Sequence, residues 1–259
     1  MISTRFFLLL LAGFGGGIAN ALAGGGAFIV FPALIFAGVS PVIANATSSL
    51  VLLPGGIAVA WVYRATLADH RPGLVSRLLV FSSIGGILGS LLMLHYAATF
   101  SALVPWLLLL ATVLFTIAPR LRSAAAQSSG HQSTPALLIG QFAIGVYGGY
   151  FGAGMGVLAL ALYVATADMK IQEATGLRTV CNTLINILAV IVFASKGAVD
   201  WQIGIPMVIS GSIAGYFVAR IVRALSETAV RKAILIYAWS LTAWFLLRPL
   251  WPLINVASL

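Results

Sequence analysis

Ala23-Gly24-Gly25-Gly26-Ala27 interrupts an apolar run that extends from Phe6 to Gly38 and contains no charged residue. Glycine costs a helix interior about 1 kcal/mol relative to alanine, so three in a row are typical of a bend or of close approach by another group. A second break, Gly152-Ala153-Gly154-Met155-Gly156, lies in another apolar run. Two glycine-rich breaks at matching places in apolar segments indicate the binding site of a membrane transporter.

The composition is that of a polytopic membrane protein. Of the 259 residues, 61% are hydrophobic and 7% are charged, and the mean hydropathy is +1.09, whereas a soluble domain is about 25% charged. The apolar runs are near-continuous and lack the alternation of a β-barrel. The net charge of +9 comes from basic residues spread over short loops, which indicates membrane topology rather than nucleic-acid binding. We therefore expect an all-α polytopic membrane protein.

The sequence contains an internal repeat. A shift of 130 positions places Gly24 on Gly154 and Gly26 on Gly156. This register predicts two transmembrane repeats, residues 1–118 and 135–259. The segment between them, 119–134, is rich in Ser, Gln and Arg and has no apolar period, so we expect a solvent-exposed, cytoplasmic linker there.

Each repeat contains five apolar pieces, and the second piece of each is short. The pieces lie at about 6–22, 26–38, 42–63, 74–96 and 101–118, and at about 136–152, 156–167, 171–194, 202–224 and 229–247. A piece of 12 or 13 residues extends roughly 20 Å, less than a hydrocarbon core of about 30 Å. We expect the first two pieces to form a helical hairpin that turns back at the glycines, followed by three transmembrane helices. Two tilted crossing helices are an alternative, and one long broken helix is another.

The basic residues indicate the orientation of the repeats. With a hairpin or with two crossings, each repeat crosses the membrane an odd number of times, so the second repeat is inverted. Ten basic residues then share the side of the Arg64–Arg77 loop and three lie opposite, which is a positive-inside bias. One long broken helix would place a basic cluster on each side, so it is rejected. The ten residues are Arg64, Arg71, Arg77, Arg120, Arg122, Lys170, Arg220, Arg223, Arg231 and Lys232.

Short motifs follow both breaks. In the first repeat they are Phe31-Pro32-Ala33-Leu34, Gly38-Val39-Ser40-Pro41 and Ala44-Asn45-Ala46-Thr47-Ser48; in the second they are Ala174-Thr175-Gly176, Asn182 and Asp200-Trp201. With these motifs the chain resembles, over nearly its whole length, the TauE/SafE family of sulfite and organosulfonate exporters. It departs from the family pattern at Met155, where a glycine is usual, and at Arg178, where a small polar residue is commoner.

The resemblance implies a secondary transporter of small organic or inorganic anions in the bacterial inner (plasma) membrane. Sulfite and sulfonates, such as sulfoacetate or taurine-derived products, are the anions it suggests, without fixing which one. Alternating access with the site at the hairpin tips would move them.

The backbone at the breaks is a candidate anion site. A helix that starts at a glycine turn presents free N–H groups and the positive end of its dipole, where anions bind. We expect substrate contact at both breaks, although close helix packing would also explain the glycines. The expected contact residues are Gly24, Gly25, Gly26, Gly154, Met155 and Gly156.

Polar side chains open the third apolar piece of each repeat. Their hydroxyl and amide groups can donate to an oxyanion without a charge that would trap it. The alternative is hydrogen bonding between helices, worth roughly 0.6 kcal/mol per bond. The candidates are Asn45, Thr47 and Ser48 in the first repeat, and Thr175, Thr179 and Asn182, which share one helical face, in the second.

Arg178 lies about two turns into a predicted transmembrane helix. An arginine at the centre of such a helix costs at least about 2.5–3.5 kcal/mol. Its planar fork can bind a sulfonate or carboxylate through two hydrogen bonds, so we expect it to contact the substrate. The alternatives are that it reaches the cytoplasmic surface or pairs with Glu173 or Asp168.

The sequence gives no sign of enzymatic chemistry or of a cofactor. It has one cysteine and three histidines, no nucleotide motif and no predicted metal cluster. We expect a transporter that is not an enzyme, a monomer or homodimer in the lipid bilayer without nucleic acid. Coupling to H⁺ or Na⁺ stays open. An anion channel, or a membrane-embedded assembly or redox protein, is the alternative.

Overall fold

The computed structural model describes residues 2–68, 72–127, 134–167, 169, 171–221 and 227–247, excluding the side chains at 2–3, 22–23, 64–68, 72, 121–122, 124–127, 167, 171–172, 216–221 and 227–228. These ranges contain ten helices. In chain order they are α1 (Ile2–Ala23), α2 (Ala27–Phe36), α3 (Pro41–Ala68), α4 (Pro72–His95), α5 (Ala97–Gln127), α6 (Thr134–Tyr150), α7 (Met155–Ala167), α8 (Ile171–Ser195), α9 (Trp201–Ile221) and α10 (Glu227–Leu247).

Six helices in the described part of the chain are long and apolar enough to cross a membrane. Their candidate spans are Thr4–Ala21, Pro41–Tyr63, Gly73–His95, Ala97–Arg120, Glu173–Ser195 and Ala229–Leu247. The helices α2 and α7 are apolar but have only 10 and 13 residues, as the sequence predicts for the second piece of each repeat. The fold is therefore that of an all-helical, multi-pass membrane protein.

The chain turns back on itself at each glycine break. In the first hairpin α2 packs against α1, where Gly16 leaves room for the side chain of Val30. In the second, α7 packs against α6, and a Cβ on Gly140 would come 2.7 Å from Leu162. Each short helix therefore lies beside the helix that precedes it.

Small residues allow the backbones of three helix pairs to approach closely. The helix α1 packs on α9 with Gly17 against Gly211, and α4 packs on α6 with Gly89 against Val146. The third pair, α3 and α8, is antiparallel, because the Gly56 carbonyl accepts from Thr183 and the Ser49 carbonyl accepts from Asn186. Close packing of this kind stabilises helix pairs in a bilayer, where lipid provides no hydrophobic driving force for their association.

The first part of the predicted linker 119–134 is helical, and its cytoplasmic location stays a prediction. Helix α5 continues through Pro119 to Gln127, because the alanine-rich residues after Pro119 favour a helix. Residues 128–133 lie outside the described residues, as do Arg71, Asp168, Lys170 and Arg223 and the side chains of Arg64, Arg122 and Arg220. The orientation assigned from the basic residues stays a prediction.

Candidate functional site

The second glycine break is a fixed, left-handed turn. Gly152 and Gly154 have φ angles of +80° and +82°, a conformation that glycine adopts without steric cost. The Tyr147 hydroxyl donates to the Ala153 carbonyl at 2.6 Å. This hydrogen bond joins the break to α6, the helix that precedes it. The sequence alone did not identify Tyr147 as a candidate site residue.

Arg178 and Asn182 lie directly against this break. Arg178 Nη1 donates to the Gly156 carbonyl at 3.2 Å. A Cβ on Gly156 would come 2.8 Å from Arg178 Nη1 and 3.0 Å from Asn182 Nδ2. Asn182 Oδ1 is buried and accepts no hydrogen bond from the described residues. Three predicted site residues, Gly156, Arg178 and Asn182, are therefore in contact. The side-chain N–H donors of Arg178 and Asn182 both lie next to the Cβ position of Gly156.

The other predicted site residues of α7 and α8 make contacts of their own. The Thr179 hydroxyl donates to the Thr175 carbonyl of its own helix at 2.8 Å. The Met155 side chain covers Gly148, where a Cβ would meet its sulfur at 2.6 Å. Met155 therefore packs the break against α6, next to the cluster of Arg178 and Asn182.

The first break differs from the second in what covers it. Gly24 has a φ of +70° and nothing within 4 Å of its Cβ position, whereas a Cβ on Gly25 would come 3.1 Å from Ile234. A Cβ on Gly26 would come 2.6 Å from both the Gly16 carbonyl and Leu52. Gly25 and Gly26 are therefore closely packed, and Gly24 is the exposed member of the three.

Asn20 is a second residue that sequence reasoning missed. Its Cβ would lie 2.8 Å from a Cβ on Gly26, and its Nδ2 lies 3.2 Å from the Cβ position of Gly55. Gly55 follows Pro54 in α3. The signal in the sequence is that Asn20 is a polar residue in an apolar run and lies four positions before a glycine break.

The polar residues at the start of α3 are engaged with other partners. Asn45 Nδ2 donates to Met93 Sδ at 3.2 Å and lies 3.4 Å from the Tyr150 carbonyl. Thr47 Oγ1 accepts from the Asp200 N–H at 3.0 Å, and Ser48 is buried. The structure does not bring these three residues to Arg178, and their role as substrate ligands stays a prediction.

Each break lies beside a candidate membrane span. Leu52, which contacts Gly26, is the middle residue of the span Pro41–Tyr63, and Asn182 is close to the middle of the span Glu173–Ser195. Both breaks also border one stretch of α5. The Cβ position of Gly25 is 3.4 Å from Phe115, and that of Gly154 is 3.5 Å from Leu114.

Several backbone N–H groups at the breaks are already engaged within the turns. In the first break the N–H groups of Phe28, Ile29 and Val30 donate to Gly25 or Gly26 carbonyls. In the second, those of Met155 and Val157 donate to Gly152 and Gly154. Arg178 adds a charged donor at the second break, the kind that binds an oxyanion most strongly. Among the described residues no group of three His, Cys, Asp or Glu side chains could hold a metal ion.

Comparison with known proteins gives one consistent result. The family model described as "Sulfite exporter TauE/SafE" matches residues 9–244. The chain is 28% identical to "Probable membrane transporter protein ORF9" of Sinorhizobium sp, with 95% of this chain and 94% of the relative covered. It is 26% identical to "Probable membrane transporter protein YfcA" of Escherichia coli K12, with 94% and 88% covered.

A "Probable membrane transporter protein" of Haemophilus influenzae is 25% identical, with 91% of this chain and 92% of the relative covered. No solved structure matches the chain with significance. The matched residues include both glycine breaks and Arg178. The chain therefore belongs to the sulfite exporter TauE/SafE family of membrane transporters.

Proposed function

We propose that this protein is a secondary transporter that moves small oxyanions, such as sulfite or a sulfonate, across the bacterial inner membrane. The observation that carries the proposal is the contact of Arg178 and Asn182, both within the candidate span Glu173–Ser195, with Gly156. A cationic group inside a membrane span is rare and is functional by default. The family and the relatives named as transporters support transport rather than catalysis.

The anion binds in this proposal where the second break meets α8. The guanidinium of Arg178 offers a planar fork that matches two oxygens of a sulfite or sulfonate. Asn182 Nδ2 approaches the same point and adds a neutral donor. Gly156 is required because any side chain there would occupy the space between them.

We further propose that the two halves form an inverted repeat. Thr112 and Thr242 are 130 positions apart, which is the register shift between the breaks, and their Oγ1 atoms are 3.0 Å apart. Two equivalent residues come into contact only beside the axis that relates them. The antiparallel crossing of α3 and α8, which are equivalent in the same register, supports the same axis. Inverted repeats suit alternating access around a central site.

A panel of anions tested by thermal unfolding of the purified protein examines the proposal. A ligand that binds the native state raises the apparent Tm by mass action. We expect stabilisation by sulfite or by a small sulfonate in wild type, and much less in Arg178→Ala. Equal shifts in the two proteins would remove Arg178 from the site, and no shift with any oxyanion would contradict the substrate class.

A further inference from the structure

Pro119 leaves one carbonyl of α5 without its usual donor. Proline has no N–H, so the carbonyl four residues earlier, that of Phe115, has no partner within the helix. This carbonyl lies inside the candidate span Ala97–Arg120, where lipid provides no hydrogen bonds. Arg231 of α10 supplies the missing donor, because its Nη2 donates to the Phe115 carbonyl.

Arg231 also contacts the Phe115 side chain. Its guanidinium carbon lies 4.8 Å from the centroid of the Phe115 ring, a cation–π distance. One side chain thus holds both the carbonyl and the ring of Phe115. A planar guanidinium can do both at once, whereas the point charge of a lysine is less suited to the pair of contacts.

Phe115 in turn forms a wall of the first glycine break. Its Cζ lies 3.4 Å from the Cβ position of Gly25, and its ring centroid is 5.5 Å from that of Phe28, at the start of α2. Ile234, three residues after Arg231 on α10, lies 3.1 Å from the same Cβ position. The tip of the first hairpin therefore contacts two side chains that depend on Arg231 or lie near it. Phe115 is bound by Arg231, and Ile234 lies on the same helix.

We propose that Arg231 is a positioning residue for the first glycine break. It replaces the N–H that Pro119 lacks, keeps Phe115 against Gly25, and so links α10 and the end of α5 to the hairpin of α1 and α2. The sequence had assigned Arg231 only to the positive charge of a cytoplasmic loop. The link to transport rests on the proposed function, but the contacts of Arg231 do not.

A double-mutant cycle between Pro119 and Arg231 separates this role from a general charge effect. Arg231→Met keeps the length of the side chain and removes its donors. Pro119→Ala restores an N–H that can donate to Phe115 within the helix. Lys232→Met is the matched control, because Lys232 is the neighbouring basic residue and is exposed. All variants are purified as full-length protein.

We expect Arg231→Met to lower the apparent Tm by roughly 4 °C or more. It should also speed amide exchange across residues 25–30 roughly tenfold through local opening. In the Pro119→Ala background, the drop in Tm and the rise in exchange caused by Arg231→Met should be less than half as large as in the wild-type background. Lys232→Met should cause neither effect. Equal effects of Arg231→Met in both backgrounds would overturn the proposal, and so would an effect of Lys232→Met of the same size.

If Arg231→Met fails to insert, Arg231→Lys takes its place in the same cycle. It keeps the charge and loses the fork, so we expect a smaller rise in exchange that Pro119→Ala again suppresses. A rise that Pro119→Ala does not suppress contradicts the proposal.

Transport provides the functional readout. Arg231→Met should lower maximal anion flux in proteoliposomes and leave the anion-induced Tm shift unchanged, since Arg231 acts through Phe115 on the first break, whereas the proposed anion site is at the second. A loss of anion affinity with normal maximal flux would contradict the positioning role. If wild type transports no oxyanion while the stability and exchange cycle holds, the proposed function fails and the inference about Arg231 stands.

Discussion

Gly156→Ala tests the proposed site with the smallest possible change. The new methyl group would lie 2.8 Å from Arg178 Nη1 and 3.0 Å from Asn182 Nδ2. Contacts of a Cβ are rarely shorter than 3.4 Å, so the guanidinium must move by about 0.6 Å. Its hydrogen bond to the Gly156 carbonyl is already 3.2 Å long, so little further lengthening is needed to break it.

The expected loss of anion affinity follows from this displacement. A fork that moves by half an ångström keeps one hydrogen bond to the oxyanion and loses the other, and a charged hydrogen bond contributes about 1.5–3 kcal/mol. Because 1.4 kcal/mol corresponds to a factor of ten, we expect Kd to rise about tenfold or more. Alanine in a helix is about 0.5–1 kcal/mol more stable than glycine, which offsets the strain and keeps the variant folded.

The assay is a titration of apparent Tm with sulfite and with a small sulfonate for wild type, Gly156→Ala and Gly215→Ala. Gly215 is the matched control, because it lies in α9 and nothing is within 4 Å of its Cβ position. We expect the control to bind like wild type. If Gly156→Ala is folded and binds the anion with wild-type affinity, the space between Arg178 and Asn182 is not the anion site.

Three further predictions concern the site and the fold. Arg178→Lys keeps the charge and loses the planar fork, so the affinity for the anion, measured by titration, should fall roughly tenfold, and it should fall further in Arg178→Ala. An unchanged affinity in Arg178→Lys would indicate instead that Arg178 only extends to the membrane interface. In a Cys181→Ala background, Ser76→Cys and Ser123→Cys should resist an impermeant thiol reagent applied outside and Lys196→Cys should react, whereas reaction of all three would refute the predicted orientation. In the same background, Thr112→Cys with Thr242→Cys should form a disulfide on mild oxidation, because the two hydroxyls are 3.0 Å apart; no cross-link would refute the contact of α5 with α10.

The helices and their interruptions follow closely from the sequence. Apolar length and the glycine triplet suffice to separate α1 from α2, and Gly152 to Gly156 to separate α6 from α7. The location of Arg178 near the second break also follows, because it lies on the helix after that hairpin. These features depend on local patterns, which a single sequence displays directly.

Contacts between distant segments do not follow from such patterns. Pro119 resembles the end of a helix, yet α5 continues. The carbonyl that Pro119 leaves without its helical donor accepts from Arg231, a residue 112 positions later. The partners of Asn45 and Thr47 come from α4, from the end of α6 and from the residue before α9. Such pairings depend on the helix packing as a whole, which residue spacing within one helix does not encode.

Counterflow in proteoliposomes tests the central claim most directly. Vesicles that contain the purified protein and are preloaded with unlabelled sulfite are diluted into medium with a trace of ³⁵S-labelled sulfite. A carrier that binds the anion at Arg178 predicts transient accumulation of label above its equilibrium level in wild type and none in Arg178→Ala. Label that only equilibrates would indicate a channel, and wild-type counterflow in Arg178→Ala would contradict the assigned site.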